Sequence, residues 1–501
     1  MEMNRKEQNK VEEYAHLKQV QFVYGVLDVF FEAPIDKDIV IMLCGDAGTG
    51  KSYTIELLLK KLSNLNVREL VEPTTTTHAA SSCFESNIKT IYSALMLNDG
   101  DLLSCSAQEV SAKLAYKYPE VIQWKEQFDE NIESIMDKSK ALGHKCEFFS
   151  TRCKTCMALY KRRCALPPEG KSFYIIDEVG MLDGNTTDKI IEAARFFSPL
   201  GCGNLFLFIG SVSQLRVPGQ DGIWRAKCFE HMWLGTAYMN YNYRLRNDYV
   251  FADALACMQH NLITKTCVDI MKSCVIPANA ENTKEFMPDA VRIFNSNTRR
   301  DEYNSRVLNS KETVDCLPVL QNHEYCSSQL KNLIWTKFKK RYGTYTQMNL
   351  KLYKDARVIC YKINAETSYF QGVVTGFRKP DIIYVKTDKG EEKIVTRQEF
   401  ILDSRSPKIR FFPIVHAQAI NTFTAQGATM RCPVIYCPPE KNYFMSKILP
   451  SAYVACTRVT KKSNLFLTRN SFANTVGKAP FFTQDLLDFK EQYEMNYDYE
   501  N

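Results

Sequence analysis

No stretch of the 501 residues approaches the roughly eighteen consecutive apolar side chains that a membrane-spanning helix requires, so no membrane partner is expected. The N-terminal residues MEMNRKEQNKVEEY are charged and lack the apolar core of a secretory leader. An intracellular, reducing setting follows as the expectation, with the 18 cysteines as free thiols or metal ligands rather than a disulfide framework. Long low-complexity tracts and short internal repeats are missing as well, which removes solenoid architectures. Net charge is small: +7 over so long a chain is too dilute to argue for a polyanionic partner, so nucleic acid must be argued from local patches. What the chain does have is 45% hydrophobic residues, enough to bury the cores of roughly two to four domains.

The most informative stretch is 38–62, DIVIMLCGDAGTGKSYTIELLLKKL. Apolar residues 39–43 predict a strand, a glycine-rich turn follows, and Ile55, Leu58, Leu59 and Leu62 repeat with helical spacing. Gly45, Asp46, Ala47, Gly48, Thr49, Gly50, Lys51 and Ser52 have the spacing of a phosphate-binding loop, where small residues let backbone N–H groups turn toward phosphate oxygens at a helix N-terminus. Lys51 is expected to reach the β and γ phosphates of a nucleotide, and the Ser52 hydroxyl to hold Mg²⁺.

Upstream, residues 1–36 read as a charged helix followed by an amphipathic one built on Leu17, Phe22, Val26, Leu27 and Phe30. Gln21 on that segment could read an adenine edge through an amide that both donates and accepts, or could be an ordinary surface glutamine. Downstream, Thr77 and His78 in one loop, and Thr90 and Tyr92 in another, offer hydroxyls and amides that could grip a sugar-phosphate backbone or form plain β segments. Residues 106–141 are polar and predicted helical. Cys146, Cys153, Cys156 and Cys164 then supply the ligand count of a tetrahedral Zn²⁺ site within a basic stretch, the alternative being unligated thiols.

An apolar strand at 173–176 ends in Asp177 and Glu178, which a parallel sheet would place beside the phosphate loop. Asp177 is expected to steady Mg²⁺ through water and Glu178 to polarise an attacking water. The strand 205–209 leads to Gln214, a sensor of the γ-phosphate, and Arg244 and Arg458 are expected to complete the site from across a cleft. Around 328–345, Trp335 and Lys339 belong to a run of interleaved aromatic and basic residues that suits either stacking on single-stranded bases or a solvated basic face. Short alternating strands with a hairpin signal at Asp388-Lys389-Gly390 predict a small barrel near 352–401.

In this order the segments resemble superfamily 1B DNA helicases of the RecD-like and petite-integration-frequency type over nearly the whole chain. The resemblance rests on the Gln21 element, GDAGTGKS, THAA with TIYSAL, IIDEVGML, GSVSQL, NYR and AYVACTR, with DARVICYK and Gln371-Gly372 similar to the family's inserted barrel. It implies an α/β fold of two RecA-like P-loop domains with parallel sheets. The first comprises 37–97 and 171–240 and carries the cysteine-bearing insertion at 98–170. The second comprises 241–350 and 403–501 and carries an SH3-like β-barrel at 351–402, with 1–36 as an N-terminal helical segment. It implies ATP and Mg²⁺ between the two, Gln426 and Gly427 near the nucleotide, Thr422 on nucleic acid, and 5′ to 3′ translocation on single-stranded and forked DNA in replication, repair or recombination. Replication proteins are the expected partners and the nucleus the expected compartment, or host nucleus or cytoplasm for a viral chain.

Three departures from the family pattern stand out: Ser211 replaces an acid in GDxxQL, Thr424 falls in a segment that has lost a lysine and a histidine, and the cysteine-bearing insertion sits where relatives carry a small strand-separating element. They leave a weakened, nucleic-acid-binding scaffold as the alternative, and RNA as an alternative track.

Overall fold

In the computed structural model the apolar run at 39–43 is the inner part of strand β1 (Ile39–Gly45), buried along almost its whole length. The structure describes residues 5–32, 37–76, 88–97, 102, 104–123, 125, 172–198, 203–211, 222–259, 264–276, 287, 289–324, 326–343, 346–361, 370–378, 381–402, 407–437 and 445–468. Described residues up to Arg246 form one compact unit, and those from Asn247 onward a second.

The first unit is built on a six-stranded sheet. Besides β1 it contains β2 (Val71–Thr75), β3 (Lys89–Thr90), β4 (Phe173–Asp177), β5 (Leu205–Gly210) and β6 (Trp233–Met239), in the order β3-β2-β4-β5-β1-β6. Every pairing is parallel. Parallel strands need crossover connections, and helices covering both faces leave the strands apolar on both sides. That accounts for LFLFIG and FYIID, buried at every position. The register Ile39↔Leu205, Leu43↔Ile209 and Ile176↔Phe208 brings Gly45, Asp177 and Gly210 to the same edge, at the carboxyl ends of the strands.

The N-terminal segment is one helix, α1 (Arg5–Glu32), rather than the expected two. Nothing interrupts it: it contains no proline, and Gly25 faces open space. Its buried face is Gln19, Val23, Val26, Leu27 and Phe30, with Phe30 5.2 Å from the Phe173 ring. The helix Ala107–Lys117 is also part of this unit. Val110, Leu114 and Val121 pack into one core with Ile190, Ala194 and Phe197. Their buried stripe is one residue per turn wide, which is why the segment reads as polar.

The second unit has its own parallel sheet, ordered β18-β7-β19-β20, from β7 (Val291–Phe294), β18 (Ala419–Asn421), β19 (Val434–Cys437) and β20 (Leu465–Leu467). Between β7 and β18 the chain builds antiparallel structure. Strands β8 (Val314–Asp315) and β10 (Lys351–Leu352) pair, while β11 (Arg357–Cys360), β12 (Phe370–Arg378), β13 (Ile382–Thr387), β14 (Glu392–Thr396) and β17 (Ile414–His416) form a five-stranded sheet. The β13–β14 hairpin turns at Gly390, φ +89°, as the Asp-Lys-Gly signal predicts. β9 (Val319–Gln321), β15 (Gln398–Ile401) and β16 (Lys408–Phe411) form a third small sheet. The helix Ser328–Tyr342 shares a core with it through Ile334, Phe338, Phe400, Ile409 and Phe411. The antiparallel region therefore extends beyond 351–402 at both ends, because β17 closes one sheet and β9 the other.

Candidate nucleotide site

Where β1 ends, the chain turns through Gly48 and Gly50, both left-handed at φ +89° and +87°, and enters helix α2 (Lys51–Asn64). A side chain would be strained at either glycine. A Cβ on Gly48 would meet Asn242 Oδ1 at 2.6 Å, and one on Gly50 would meet Gln19 Nε2 at 2.5 Å. Lys51 is buried, and its Nζ donates to the carbonyls of Gly45 and Asp46, both at 2.8 Å. Thr49 Oγ1 donates to the Asp46 carbonyl at 2.9 Å, closing the turn, while Ser52 is exposed on the first turn of α2. Burial lowers the Lys51 pKa, opposed by the negative charges of Glu178, Asp177 and Asp46.

Asp177, at the end of β4, is 4% exposed, and burial first and then the charge of Glu178 push its pKa up to about 7, against the pull of Lys51. Its Oδ1 accepts from the Glu178 backbone N–H at 2.8 Å. Glu178 itself is left-handed at φ +59°, an uncommon conformation for a side chain of this kind. Thr76 holds it there: the Thr76 N–H donates to the Asp177 carbonyl and its Oγ1 to the Glu178 carbonyl, at 3.1 and 2.9 Å. One ammonium and two carboxylates thus converge where β1 and β4 end. Ser211, beyond the last residue of β5, is buried, and Gln214 lies outside the described residues.

The segment 242–244 docks onto the phosphate loop from within the same unit. The Arg244 N–H donates to the Gly48 carbonyl at 3.3 Å, Asn242 Nδ2 to the Ala47 carbonyl at 3.3 Å, and Tyr238 OH to Asp46 Oδ1 at 3.4 Å. Arg244 was expected from the opposite domain; it belongs to the unit of Lys51, whose pKa its charge lowers. The glutamine of α1 that touches the loop is not the one expected to read an adenine edge. Gln21 is exposed, whereas Gln19 is 2% exposed, its Nε2 donating to the Gly50 carbonyl at 3.4 Å and its Oε1 accepting from Tyr243 OH at 3.3 Å. The signal for Gln19 was its place on the stripe of Val23, Val26 and Phe30, a phase that excludes Gln21.

In the second unit Arg458 is 1% exposed. Its guanidinium donates to the carbonyls of Val454, Ala425 and Ala428 and to Thr457 Oγ1, at 2.8, 3.4, 3.2 and 2.7 Å. It clamps the turn that carries Gln426 and Gly427, the latter at φ +79°. Thr422 is buried too, its hydroxyl donating to the Phe294 carbonyl at 3.2 Å and lying 3.0 Å from Asn295 Oδ1.

The expected nucleic-acid contacts divide. Thr77 and His78 lie outside the described residues. Thr90 is buried, and its hydroxyl accepts from the Ser93 N–H as a helix cap; Tyr92 is half-buried, its pKa pushed up to about 12 by burial and by Asp183. Trp335 is half-buried, packing edge-on to Phe338 at 5.8 Å and against the core of the helix Ser328–Tyr342, while Lys339 on that helix is exposed. Cys146, Cys153, Cys156 and Cys164 lie outside the described residues. Among the described residues no three His, Cys, Asp or Glu side chains are placed to hold a metal, and no helix is long and apolar enough to cross a membrane.

No protein-family model and no curated protein matches the sequence. Solved structures do match. The Pif1 helicase from Candida albicans aligns over 95% of this chain and 98% of its own, with 17% identity and a TM-score of 0.65. The Bacteroides Pif1 helicase in complex with ADP-AlF3 and ssDNA aligns over 94% and 96%, with 15% identity and a TM-score of 0.59. A structure described as showing DNA unwinding at forked dsDNA by two coordinating Pif1 helicases aligns over 98% and 97%, with 15% identity and a TM-score of 0.57. With a six-stranded parallel sheet in one unit and a second parallel sheet in the other, the chain has the RecA-like fold of the Pif1 helicases.

Proposed function

We propose that this protein is an ATP-driven DNA helicase that moves 5′ to 3′ on single-stranded DNA and opens forked duplexes. The observation that carries the proposal is the convergence of buried Lys51 with Asp177 and Glu178 at the ends of β1 and β4. The match to Pif1 helicases, among them one bound to ssDNA with ADP-AlF3 and others at forked dsDNA, supports the choice of track.

The residues present fit Mg-ATP. Two glycines at positive φ shape a turn in which a Cβ would be strained, and Lys51 Nζ is held on carbonyls it can exchange for phosphate oxygens. Gly48, Gly50 and Lys51 would hold the phosphates, with Ser52 and Asp177 toward the metal; bound there, Mg-ATP supplies a γ-phosphoryl group and divalent charge. Glu178, fixed by Thr76 in its left-handed turn, orients the attacking water as its base. Arg244 brings positive charge to the same loop. Arg458 holds the Gln426-Gly427 turn; to meet a phosphoryl oxygen, as the sequence suggested, it would have to give up those carbonyls.

Lys51→Ala is expected to abolish ATP hydrolysis stimulated by single-stranded DNA, and forks carrying a 5′ or a 3′ overhang test the polarity. Unwinding from the 3′ overhang alone, or full activity without Lys51, would refute the proposal. The second reading, a weakened scaffold, is favoured by one feature: Ser211 stands where an acid would follow β5. Phosphate release that single-stranded DNA does not stimulate would select it, and stimulation only by RNA would change the track.

A further inference from the structure

Strand β2 joins the two carboxylates to the edge of their sheet. The pairing of β4 with β5 ends at Ile176↔Phe208, whereas β2 follows β4 one residue further, to Thr75↔Asp177. On its other side Thr75 pairs with Thr90 of β3. Asp177, Thr75 and Thr90 thus lie abreast on three adjacent strands, of which β3 is the sheet edge. Just past that row, Thr76 sets the shape of Glu178. Its N–H holds the carbonyl before Glu178 and its hydroxyl the carbonyl after it, at 3.1 and 2.9 Å. Those carbonyls flank the φ and ψ bonds of Glu178, so one residue fixes both torsions and with them the left-handed turn. Thr74, on the same face of the strand, donates its hydroxyl at 3.0 Å to the Ile175 carbonyl, inside the regular sheet.

The outer strand is the weak member of the row. β3 is two residues long, paired through Thr74↔Lys89 and Thr75↔Thr90, and so short a ladder at an edge opens easily. A ligand that binds the docked form shifts β3 toward docking. The groups at β3 suit a sugar-phosphate backbone. Lys89 is exposed and brings an ammonium, and the turn that follows carries the hydroxyls of Tyr92 and Ser93. That turn is tied to the strand, because the Thr90 hydroxyl accepts from the Ser93 N–H at 3.2 Å.

We propose that β2 is the relay through which DNA stimulates hydrolysis. Single-stranded DNA held at 89–92 secures β3, β3 secures the end of β2, and Thr76, as a positioning residue, then keeps Glu178 in the conformation that orients water. The inference rests on the helicase reading and adds to it how the track reaches the phosphoryl site.

The test measures steady-state hydrolysis by the full chain with ATP and oligothymidylate varied, and oligothymidylate affinity separately by fluorescence anisotropy. Thr76→Val keeps the shape of the side chain and removes the hydroxyl. It should lower kcat at saturating oligothymidylate by about ten- to a hundredfold and bring the ratio of rates with and without DNA toward one. KM for ATP and oligothymidylate affinity should stay where they were. Thr76→Ser, which keeps the donor, should retain the ratio. Thr74→Val removes a hydroxyl of the same kind from the regular sheet; it should lower the melting temperature and retain the ratio as well. Lys89→Ala should raise the oligothymidylate concentration needed for half-maximal stimulation. A ratio that survives Thr76→Val, one lost equally in Thr76→Ser or Thr74→Val, or a half-maximal concentration unmoved by Lys89→Ala would each overturn the relay and leave the helicase reading standing. An unaltered chain that oligothymidylate does not stimulate would remove that reading, and the relay with it.

Discussion

Replacing Gln19 and Gln21 separately by alanine tests the least obvious assignment of the site. Gln19 contributes a donated hydrogen bond to the Gly50 carbonyl at 3.4 Å and accepts one from Tyr243 OH at 3.3 Å. Both are at the long end of the range, so each is taken as about 0.5–1 kcal/mol and their joint loss as about 1–2 kcal/mol. The side chain touches the backbone of the loop and not the position of the γ-phosphoryl group. Its loss should therefore weaken ground state and transition state alike, which raises KM for ATP and leaves kcat nearly unchanged. On that conversion KM should rise about five- to thirtyfold. Gln21 is exposed and contacts nothing on the loop, so Gln21→Ala should stay within about 0.5 kcal/mol, or roughly twofold in KM. Steady-state hydrolysis at saturating single-stranded DNA, with ATP varied, measures both. If Gln21→Ala raises KM as much as Gln19→Ala, or if Gln19→Ala leaves KM within twofold, the helix phase assigned to α1 is wrong.

Arg458→Ala and Arg458→Lys should both destabilise the second unit, by about 3 kcal/mol or more, because buried carbonyls of Val454, Ala425 and Ala428 lose donors that an ammonium cannot replace in number or geometry. Intact thermal melting with lost turnover would instead give the guanidinium a catalytic task. Trp335→Ala should lower the urea midpoint by an amount equivalent to about 2 kcal/mol through lost packing on Phe338, while Lys339→Ala should keep stability and flatten the salt dependence of DNA binding. Weaker DNA binding by Trp335→Ala at unchanged stability would contradict that division. Burial lowers the pKa of His416, whose Nε2 contacts the Lys351 carbonyl. The stability it confers is therefore fully present above its ordinary value of 6.5 and is lost as pH falls through the lower folded value. A melting series into mild acid should show that loss, and His416→Phe should flatten it.

The parts of the site that could be read from sequence are those whose information is contiguous. An apolar run, a glycine turn and a helical repeat follow one another in 38–62, and β4 delivers Asp177 and Glu178 directly at its end. Parallel sheets place strand ends at one edge, so two such local patterns were enough to bring Lys51 and the carboxylates together. Arg244 had no such help. Its position comes from hydrogen bonds between 242–244 and a loop some two hundred residues earlier in the chain, and no local pattern tells which sheet a segment rejoins.

The placements of Gln21 and Trp335 depend on helix phase, which the sequence also carries. In each case residue type was weighed before helix phase. Taking Val23, Val26 and Phe30 as the buried line of α1 puts position 19 on it and position 21 about 160° away from 23 in the direction of solvent, given about 100° per residue. Taking Ile334 and Phe338 as the buried line of the helix Ser328–Tyr342 brings Trp335 beside it, so its aromatic ring belongs to a core before it belongs to a ligand. A polar residue on a buried line must find a partner there, whereas an aromatic one need not. Gln19 found one in the phosphate loop, and the interruption of an apolar stripe by a single amide is therefore a better pointer to a nucleotide site than the composition of the surrounding segment.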